Sequence, residues 1–393
     1  MREIRKRIRL LCLIGGLLLL TGCTSIQDKI VEQIQETPPY IEVTAEEETF
    51  ADKFYYKQLS DSEKQSYREI YEGLLMQEKE ICLHWIEAED VNRILDYVIY
   101  DFAEIFWTDG AATSTTYDES VLSKGYTILE INYIYSKEET EERRELIADA
   151  TKVILAGVPE EYGEYEKIKY IYEYLVNNVD YVEDAPDNQN IYSVFINKQT
   201  VCAGYAKATQ YLLNELGIYC TYVTGKAVME GKTEAHAWNI VRCNGKFYYV
   251  DVTWADPLFQ EGQKVVVDIV YDYLCCSEDA LKKTHTLDEG YTYPVCDAND
   301  LDYYQLNGMY YSKVDKKQLL QVMKQSINRK ESKTVFKFAE QGLYEEGKQL
   351  LLNELMNKAA EYLCDRYGLR QVEYLYVEYD NTNRFVVYWQ YHS

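Results

Sequence analysis

Positive charge is scarce in this sequence. Its 393 residues include 41 Lys and Arg against 66 Asp and Glu, which gives a formal net charge of -25 at pH 7. Binding to a nucleic-acid backbone depends on clustered basic side chains that displace counterions, so this charge balance argues against a nucleic-acid partner. With 47% hydrophobic residues the chain still has enough apolar material for a sizeable core, and its length suggests two or three domains.

Long hydrophobic runs are also missing. An apolar segment at Leu10–Leu20 follows a basic stretch and is too short to cross a bilayer as a mature helix, which is typical of an export signal. The ending LTGC resembles the lipobox of bacterial lipoproteins. That resemblance implies removal of residues 1–22, acylation of Cys23 and a lipid-anchored protein on the extracellular face of the cell membrane. The alternative is an uncleaved signal anchor with the same topology.

The ten cysteines form no recognisable framework. Their spacing contains no repeated CxxC pair, and a bridge between adjacent Cys275 and Cys276 would be strained. We therefore expect most of the cysteines after Cys23 to be buried thiols without disulfides. The segments DAPDNQN and DANDLD do not fit the calcium-binding loop pattern, so neither a metal nor a cofactor is inferred.

Composition and periodicity divide the chain into five segments without an internal repeat. The predicted layout is a signal peptide at 1–22, an acidic spacer at 23–51, a mostly helical N-terminal region at 52–158, a central domain with the candidate site at 159–296, and a small α/β domain at 297–393.

Local patterns add three expectations to this layout. The segment TDGAATSTTYDESVLSKG, residues 108–125, is rich in turn-forming residues and is interpreted as a loop, whereas alternation over 126–136 predicts a strand. Asn307–Gly308 between aromatic runs predicts a β-hairpin. A strand at 334–338, a long helix and two further strands are expected to complete the C-terminal domain.

The segment TVCAGYAKATQYLLNELG places a cysteine at the start of a predicted helix. Apolar residues recur at helical spacing after Cys202, and Gly217 is well placed to end the helix. The unpaired N–H groups and the dipole of a helix N-terminus favour a thiolate. Ala203 and Gly204 are expected to leave space beside the sulfur for a substrate carbonyl and a backbone N–H donor.

The segment EAHAWNIVRCNGKFYYVDVTWADP predicts a β-hairpin. A two-residue turn at Asn244–Gly245 pairs Cys243 with Lys246. Counting along both strands from that pair makes His236 and Asp251 diagonal neighbours on one face, within reach of a hydrogen bond. A four-residue loop would keep this register, whereas a three-residue loop would break it.

Together these residues have the parts of a nucleophilic acyl-transfer site. In this interpretation Cys202 attacks, His236 takes the proton, and Asp251 orients the imidazole and supports its charge. A lone cysteine at a helix start, or a lone histidine on a strand, is more often structural, but the conjunction favours catalysis. The other three histidines, His84, His285 and His392, have no comparable setting in the sequence.

The motifs VCAGYA, HAWNIV and YYVDVTWAD, in this order, resemble those of the transglutaminase-like superfamily over about residues 165–257. The resemblance implies an α+β, papain-like core in which a helix starting with the cysteine packs on an antiparallel sheet. It also implies that Cys202, His236 and Asp251 are the catalytic residues. The wider layout is similar to that of surface lipoproteins of Gram-positive bacteria.

Several neighbouring residues are weaker candidates. Tyr205, Trp238 and Trp254 are interpreted as walls of the cleft, with packing in the core as the alternative. Tyr192 and Gln189, upstream of the helix, are candidate donors to an oxyanion.

The sequence leaves the acceptor of the acyl group open. Water would make the protein a peptidase or amidase acting on a peptide or protein substrate, which we favour, and an amine would make it a cross-linking transglutaminase. A third alternative is a non-catalytic surface protein whose cleft binds peptide or wall polymer.

Overall fold

The computed structural model describes residues 36–120, 123–229, 231–255 and 269–391. The predicted signal peptide, Cys23 and His392 lie outside these ranges. The described residues form two compact units that divide between Thr140 and Glu141, so the division falls inside the predicted 52–158 region. No helix among the described residues is long and apolar enough to cross a membrane.

Eleven α-helices lie in the described ranges, together with short 3₁₀ and π turns. The helices are α1 Glu48–Ala51, α2 Asp61–Met76, α3 Ala88–Asp101, α4 Lys137–Ala156, α5 Glu164–Asn178, α6 Cys202–Glu215, α7 Glu278–Leu281, α8 Tyr303–Leu306, α9 Lys316–Asn328, α10 Gln341–Leu350 and α11 Met356–Tyr367.

The strands of the described residues form four sheets. They are β1 Glu80–His84, β2 Thr108–Tyr117, β3 Tyr126–Tyr133, β4 Asp180–Tyr181, β5 Gln199–Thr200, β6 Cys220–Met229, β7 Lys232–Cys243, β8 Lys246–Val250, β9 His285–Leu287, β10 Tyr310–Tyr311, β11 Lys333–Phe338, β12 Tyr374–Tyr379 and β13 Arg384–Trp389.

The first unit contains an antiparallel sheet of order β1-β3-β2, and helical segments pack against it. Strand β3 confirms the prediction from alternation, but the interpretation of 108–125 as a loop is wrong for residues 108–117. Residues Thr108–Tyr117 form β2, pairing for instance Ala112 with Ile131. The small polar residues that resemble a loop alternate between the two sheet faces, and β-branched threonines suit a half-exposed strand.

The second unit carries the sheet on which the candidate site lies. Its order is β8-β7-β6-β9, all antiparallel, and α6 packs against it. The side-chain amide of Asn239 on β7 donates to the backbone carbonyl of Ala206 in α6 at 2.9 Å, which ties helix and sheet together. The predicted α+β class, with a helix starting at a cysteine on an antiparallel sheet, is confirmed.

The turn between β7 and β8 has the predicted register. Asn244 and Gly245 both have positive φ, 50° and 80°, as a two-residue type I′ turn requires. Cys243 pairs with Lys246, and the ladder continues to Asn239 and Val250. Strand β8 ends at Val250, so Asp251 follows directly after the strand and its position is set by the register of the hairpin.

The prediction of a second hairpin at Asn307–Gly308 is wrong. These residues end helix α8, whose first turn is capped by the Asp302 carboxylate accepting from the Gln305 N–H at 2.9 Å. The next strand, β10, runs parallel to β11. The residues before Asn307–Gly308 form a helical turn, and the strand after them pairs with β11. Neither flank is therefore available as a strand of a hairpin.

The remaining C-terminal elements follow the prediction, with the sheet order β10-β11-β13-β12. This sheet belongs to the same compact unit as the candidate site. Asp272, which is buried, accepts from the Arg384 guanidinium of β13 at 2.8 Å and also pairs with Lys337 of β11.

The described cysteines are free thiols. Six thiols are buried, and the two partly exposed ones are Cys202 and Cys364.

Candidate active site

Cys202 is the first residue of α6, and Val201 before it is extended. The helix buries the predicted face on the sheet and ends with Gly217 (φ +74°) beyond its last turn. The Cys202 side chain therefore lies at the positive end of the helix dipole, beside N–H groups without intrahelical partners. It is partly exposed, so a substrate can reach it.

Gly204 has a different role from the predicted one. A Cβ atom at this position would lie 1.8 Å from the Thr200 hydroxyl, which donates to the Asn188 carbonyl at 2.8 Å. Ala203 is buried. The missing side chain thus makes room for the strand before the nucleophile rather than for a substrate, and it fixes where the helix begins.

The structure brings Cys202, His236 and Asp251 together. His236 Nε2 lies 2.8 Å from Asp251 Oδ2, and both side chains are buried. The Cys202 sulfur is close enough to His236 to affect the pKa of the imidazole. Because a carboxylate can only accept, Nε2 carries a proton towards Asp251, which leaves Nδ1 as the ring nitrogen available to another partner.

Burial and charge act in opposite directions on the buried pair. Burial alone lowers the pKa of His236, but the neighbouring Asp251 carboxylate and the Cys202 sulfur outweigh it and raise the pKa to about 10. Burial raises the pKa of Asp251, whereas the two imidazoles that face it hold that pKa well below its usual range. The arrangement therefore favours an imidazolium beside an ionised carboxylate.

A second histidine contacts the same carboxylate, and sequence reasoning missed it. His285 Nε2 lies 3.0 Å from Asp251 Oδ2, and the backbone N–H of Trp254 donates to Asp251 Oδ1 at 3.2 Å. His285 lies on β9, which pairs with β6 about 60 residues earlier in the chain. No local pattern signals a pairing of that sequence separation, although the small number of histidines could have drawn attention to it.

The same cluster contains a potential metal-ligand set. One ligand atom each from His236, Asp251 and His285 lies within 4.8 Å of the others. Two histidines and a carboxylate suit several divalent transition metals. In the hydrogen-bonded arrangement, however, each Nε2 directs a proton at Asp251, and a protonated ring nitrogen has no lone pair for a metal.

The predicted aromatic walls lie deeper than expected. Tyr205 is fully buried and its hydroxyl donates to the Val179 carbonyl, so it belongs to the core and not to a cleft wall. Trp238 is also buried and stacks on the His236 ring at 5.7 Å between centroids. Trp254 packs with its centroid 4.7 Å from that of His285. Packing, the alternative interpretation, describes Tyr205 and Trp238 better, whereas Trp254 also lines a cavity together with Val270 and Tyr273.

The two candidate oxyanion donors differ in their surroundings. Gln189 is exposed, and the Tyr192 ring packs against the Arg143 guanidinium, 4.0 Å from its centroid. Tyr181, which the sequence analysis did not consider, pairs with Thr200 two residues before the nucleophile. Burial, and after it the charge of Cys202, raises the pKa of Tyr181, so its phenol stays protonated beside the sulfur.

Comparison with known proteins bears on the family of the domain that contains this site. Residues 150–252 match the family model of the transglutaminase-like superfamily, so the chain carries a transglutaminase-like domain there. No curated protein matches the sequence.

Solved structures are similar over part of the chain. A TGase is 15% identical with a TM-score of 0.27 over 48% of this chain and 53% of its own. A candidate cysteine protease from Cytophaga hutchinsonii is 15% identical with a TM-score of 0.25 over 41% and 66%. The periplasmic domain of TgpA from Pseudomonas aeruginosa is 16% identical with a TM-score of 0.22 over 38% and 66%. The chain thus spans about half to two thirds of these proteins, and likenesses at such TM-scores carry no argument about function.

Proposed function

We propose that the transglutaminase-like domain of this chain catalyses cysteine-dependent acyl transfer from peptide or amide bonds, with water as the favoured acceptor and therefore hydrolysis as the reaction. The observation that carries the proposal is the hydrogen-bonded His236–Asp251 pair close to the Cys202 thiol, which lies at a helix N-terminus. A thiol, a base and a group that orients the base are the requirements of this chemistry.

The first half-reaction forms a thioester. The Cys202 thiolate attacks the carbonyl carbon, and in this proposal a backbone N–H at the start of α6 donates to the resulting oxyanion. The His236 imidazolium then gives its proton to the leaving amine as the carbon–nitrogen bond breaks. The acyl group remains on sulfur.

The second half-reaction releases the acyl group. His236, now neutral, accepts a proton from water as the water attacks the thioester, and the thiolate leaves. An amine in place of water would yield a new amide bond and a cross-link. Asp251 keeps the ring oriented throughout through its bond to Nε2.

Product analysis of peptide mixtures tests this proposal. Peptides with and without an added primary amine would be incubated with the wild type and with Cys202→Ala, and the products identified by mass spectrometry. We expect cleaved peptides from the wild type alone. Amide-linked products with the amine would replace hydrolysis by transamidation, and identical mixtures from both proteins would overturn catalysis in favour of a binding cleft.

The chain contains a matched control for the reactivity of the nucleophile. Cys364 is the other partly exposed thiol, but it lies one turn before the C-terminal end of α11, where the dipole is unfavourable to an anion. We expect iodoacetamide to label Cys202 at least about tenfold faster than Cys364 near pH 7. Equal rates would contradict an activated thiol.

We also propose that the protein is held on the cell surface by lipid attached to Cys23. The basis is the signal-like N-terminus and its LTGC ending. Because one acyl chain anchors weakly and two hold firmly, we expect a diacylated Cys23 and recovery with membranes. Cys23→Ala, expressed in a host that processes lipoproteins, should move the protein to the soluble fraction, and unchanged membrane recovery would contradict the anchor.

A further inference from the structure

We propose that His285 is a positioning residue of the acyl-transfer site, which holds the Asp251 carboxylate in the orientation that His236 needs. The inference rests on the proposed function and deepens it, because it extends the three-residue site to a His-Asp-His arrangement. The residues that carry it are His236 on β7, His285 on β9 and Asp251 directly after β8.

The contacts of Asp251 carry the first step. Both imidazoles direct Nε2 at the same oxygen, Oδ2, at 2.8 Å for His236 and 3.0 Å for His285, while the Trp254 N–H occupies Oδ1. Three donors on one buried carboxylate leave it no rotational freedom. Removal of the His285 donor would leave Oδ2 bound to His236 alone.

The His285 ring is itself held from behind. Its Nδ1 lies 2.8 Å from the Thr284 hydroxyl, which in turn lies 2.8 Å from the Tyr273 hydroxyl. These contacts fix which face of the ring, and which nitrogen, points at Asp251. A continuous chain of hydrogen bonds therefore runs from Tyr273 to His236.

Burial argues that this chain is internal and not a second solvent-facing site. The His285 side chain is 0% exposed, and its ring is enclosed by aromatic rings with centroids 4.7 to 5.2 Å away. A polar group in such surroundings costs free energy unless it is hydrogen-bonded. Both nitrogens of the His285 ring have hydrogen-bond partners, so the burial of this ring is compensated.

The sheet is built to let the two histidines meet. Strand β6 lies between β7 and β9, and it pairs Gly225 with His236 and Ala227 with His285. Paired residues share a face, so a large side chain at either β6 position would separate the rings. A Cβ at Gly225 would lie 2.6 Å from the Trp238 ring and 2.1 Å from the Thr286 carbonyl.

The second donor has a chemical consequence for catalysis. It shares the negative charge of Asp251 between two N–H groups, which weakens the pull of the carboxylate on the His236 proton. The His236 imidazolium can then release its Nδ1 proton to the leaving amine more readily. Loss of His285 should therefore slow the chemical step more than substrate binding.

Two substitutions at His285 separate a hydrogen-bonding role from a packing role. His285→Gln can keep an N–H donor near the position of Nε2, whereas His285→Met fills similar volume without a donor. We expect His285→Met to lower kcat by about 10- to 100-fold, the effect of one hydrogen bond to a charged group, with KM nearly unchanged. His285→Gln should recover most of that loss.

The pH dependence of Cys202 alkylation provides a readout that does not require turnover. In His285→Met the less shared Asp251 charge should move the alkaline limb of the labelling profile to higher pH. An unmoved limb, or equal kcat in wild type and His285→Met, would overturn the inference. Wild type that labels no faster at Cys202 than at Cys364 would instead refute the proposed function itself.

Thr284→Val serves if His285→Met does not fold. It keeps the His285 ring and removes only the hydroxyl behind it. We expect a smaller fall in kcat, several-fold, with a shift of the alkaline limb in the same direction. Wild-type kcat and pH profile in a folded Thr284→Val would also overturn the inference.

Discussion

At the residue scale, the site distributes three unequal tasks over a thiol, an imidazole and a carboxylate. In the proposed mechanism only Cys202 forms a covalent bond to the acyl group, only His236 moves protons, and Asp251 acts through the imidazole it contacts. Groups that act as a unit are not additive, so their substitutions should differ in kind as well as in size.

Substitution of the three residues tests that division. We expect Cys202→Ala to abolish acyl-enzyme formation and His236→Ala to come close to doing so. Asp251→Asn should leave measurable turnover while lowering kcat by up to about 10⁴-fold, because the tautomer and orientation of His236 are lost. Thioester trapping by mass spectrometry and single-turnover kinetics would measure this. Full activity of Cys202→Ala would rule out the covalent route.

The raised pKa of His236 makes stability depend on pH with a definite sign. The folded protein holds this proton up to about pH 10, whereas an unfolded histidine loses it near its usual value of about 6.5. The stabilisation is therefore complete below about pH 6.5 and is lost as the pH rises through the folded pKa. The lowered pKa of Asp251 works in the other direction, since its contribution is present above about pH 4 and lost at lower pH.

Denaturant unfolding between pH 7 and 10 checks the sign. The free energy of unfolding should fall with pH by up to about 1.4 kcal/mol per unit from this one proton. His236→Gln removes the titrating group while other residues still titrate. The difference between wild type and this variant isolates the effect, and a difference that does not change with pH would contradict it.

At the element scale, one dipeptide has two outcomes. Asn244–Gly245 forms the turn that sets the register of His236 and Asp251, whereas Asn307–Gly308 ends a short helix. The first is flanked by long alternating strands that pair with each other, and the second follows a capped helical turn. The local signal is the same, and the flanking pairing decides.

These two glycines allow a matched test of the turn. Both have positive φ, +80° at Gly245 and +69° at Gly308, with open space around a Cβ. Valine at either position should cost about 1–2 kcal/mol of stability because a left-handed backbone is unfavourable for it. We expect only Gly245→Val to slow Cys202 alkylation under conditions where both variants remain folded, and equal slowing would contradict the role of the turn in the site.

The parts of the site that the sequence predicts are those set by local rules. A helix start places Cys202, and a two-residue turn places His236 relative to Asp251. His285 escapes such rules because β9 reaches the site only through pairing with β6. Strand β2 escaped them as well, since its small polar residues form a strand only when β3 is beside them.

At the scale of the whole second unit, the candidate site and the C-terminal sheet share a buried ionic contact. Asp272 directly precedes Tyr273, which belongs to the hydrogen-bond chain. Its carboxylate accepts hydrogen bonds from Lys337 and Arg384 of the C-terminal sheet. Burial raises the pKa of Asp272, but the two cations outweigh it and hold that pKa below its usual range. One carboxylate therefore compensates two cations between the two sheets.

Removal of that carboxylate should be costly. We expect Asp272→Asn to lower the free energy of unfolding by about 3–5 kcal/mol, because the buried Arg384 guanidinium would lose its counter-charge. Adding Arg384→Met and Lys337→Met should recover part of the loss. Urea unfolding of the single and combined variants measures both effects, and a single variant as stable as wild type would show that the contact is not a stabilising one.

The Asn244–Gly245 turn has a consequence for the chemical lifetime of the protein. An exposed asparagine followed by glycine is the pair most open to attack of the next backbone nitrogen on the side-chain amide, which gives a succinimide and then aspartate or isoaspartate. Isoaspartate would add a methylene group to the main chain of the turn, and either product would add a negative charge where the Asn244 N–H now donates to Glu164. Such products accumulate with time, so the β7–β8 turn of older molecules would be altered. These molecules would lose the alignment of His236 and Asp251 without any mutation.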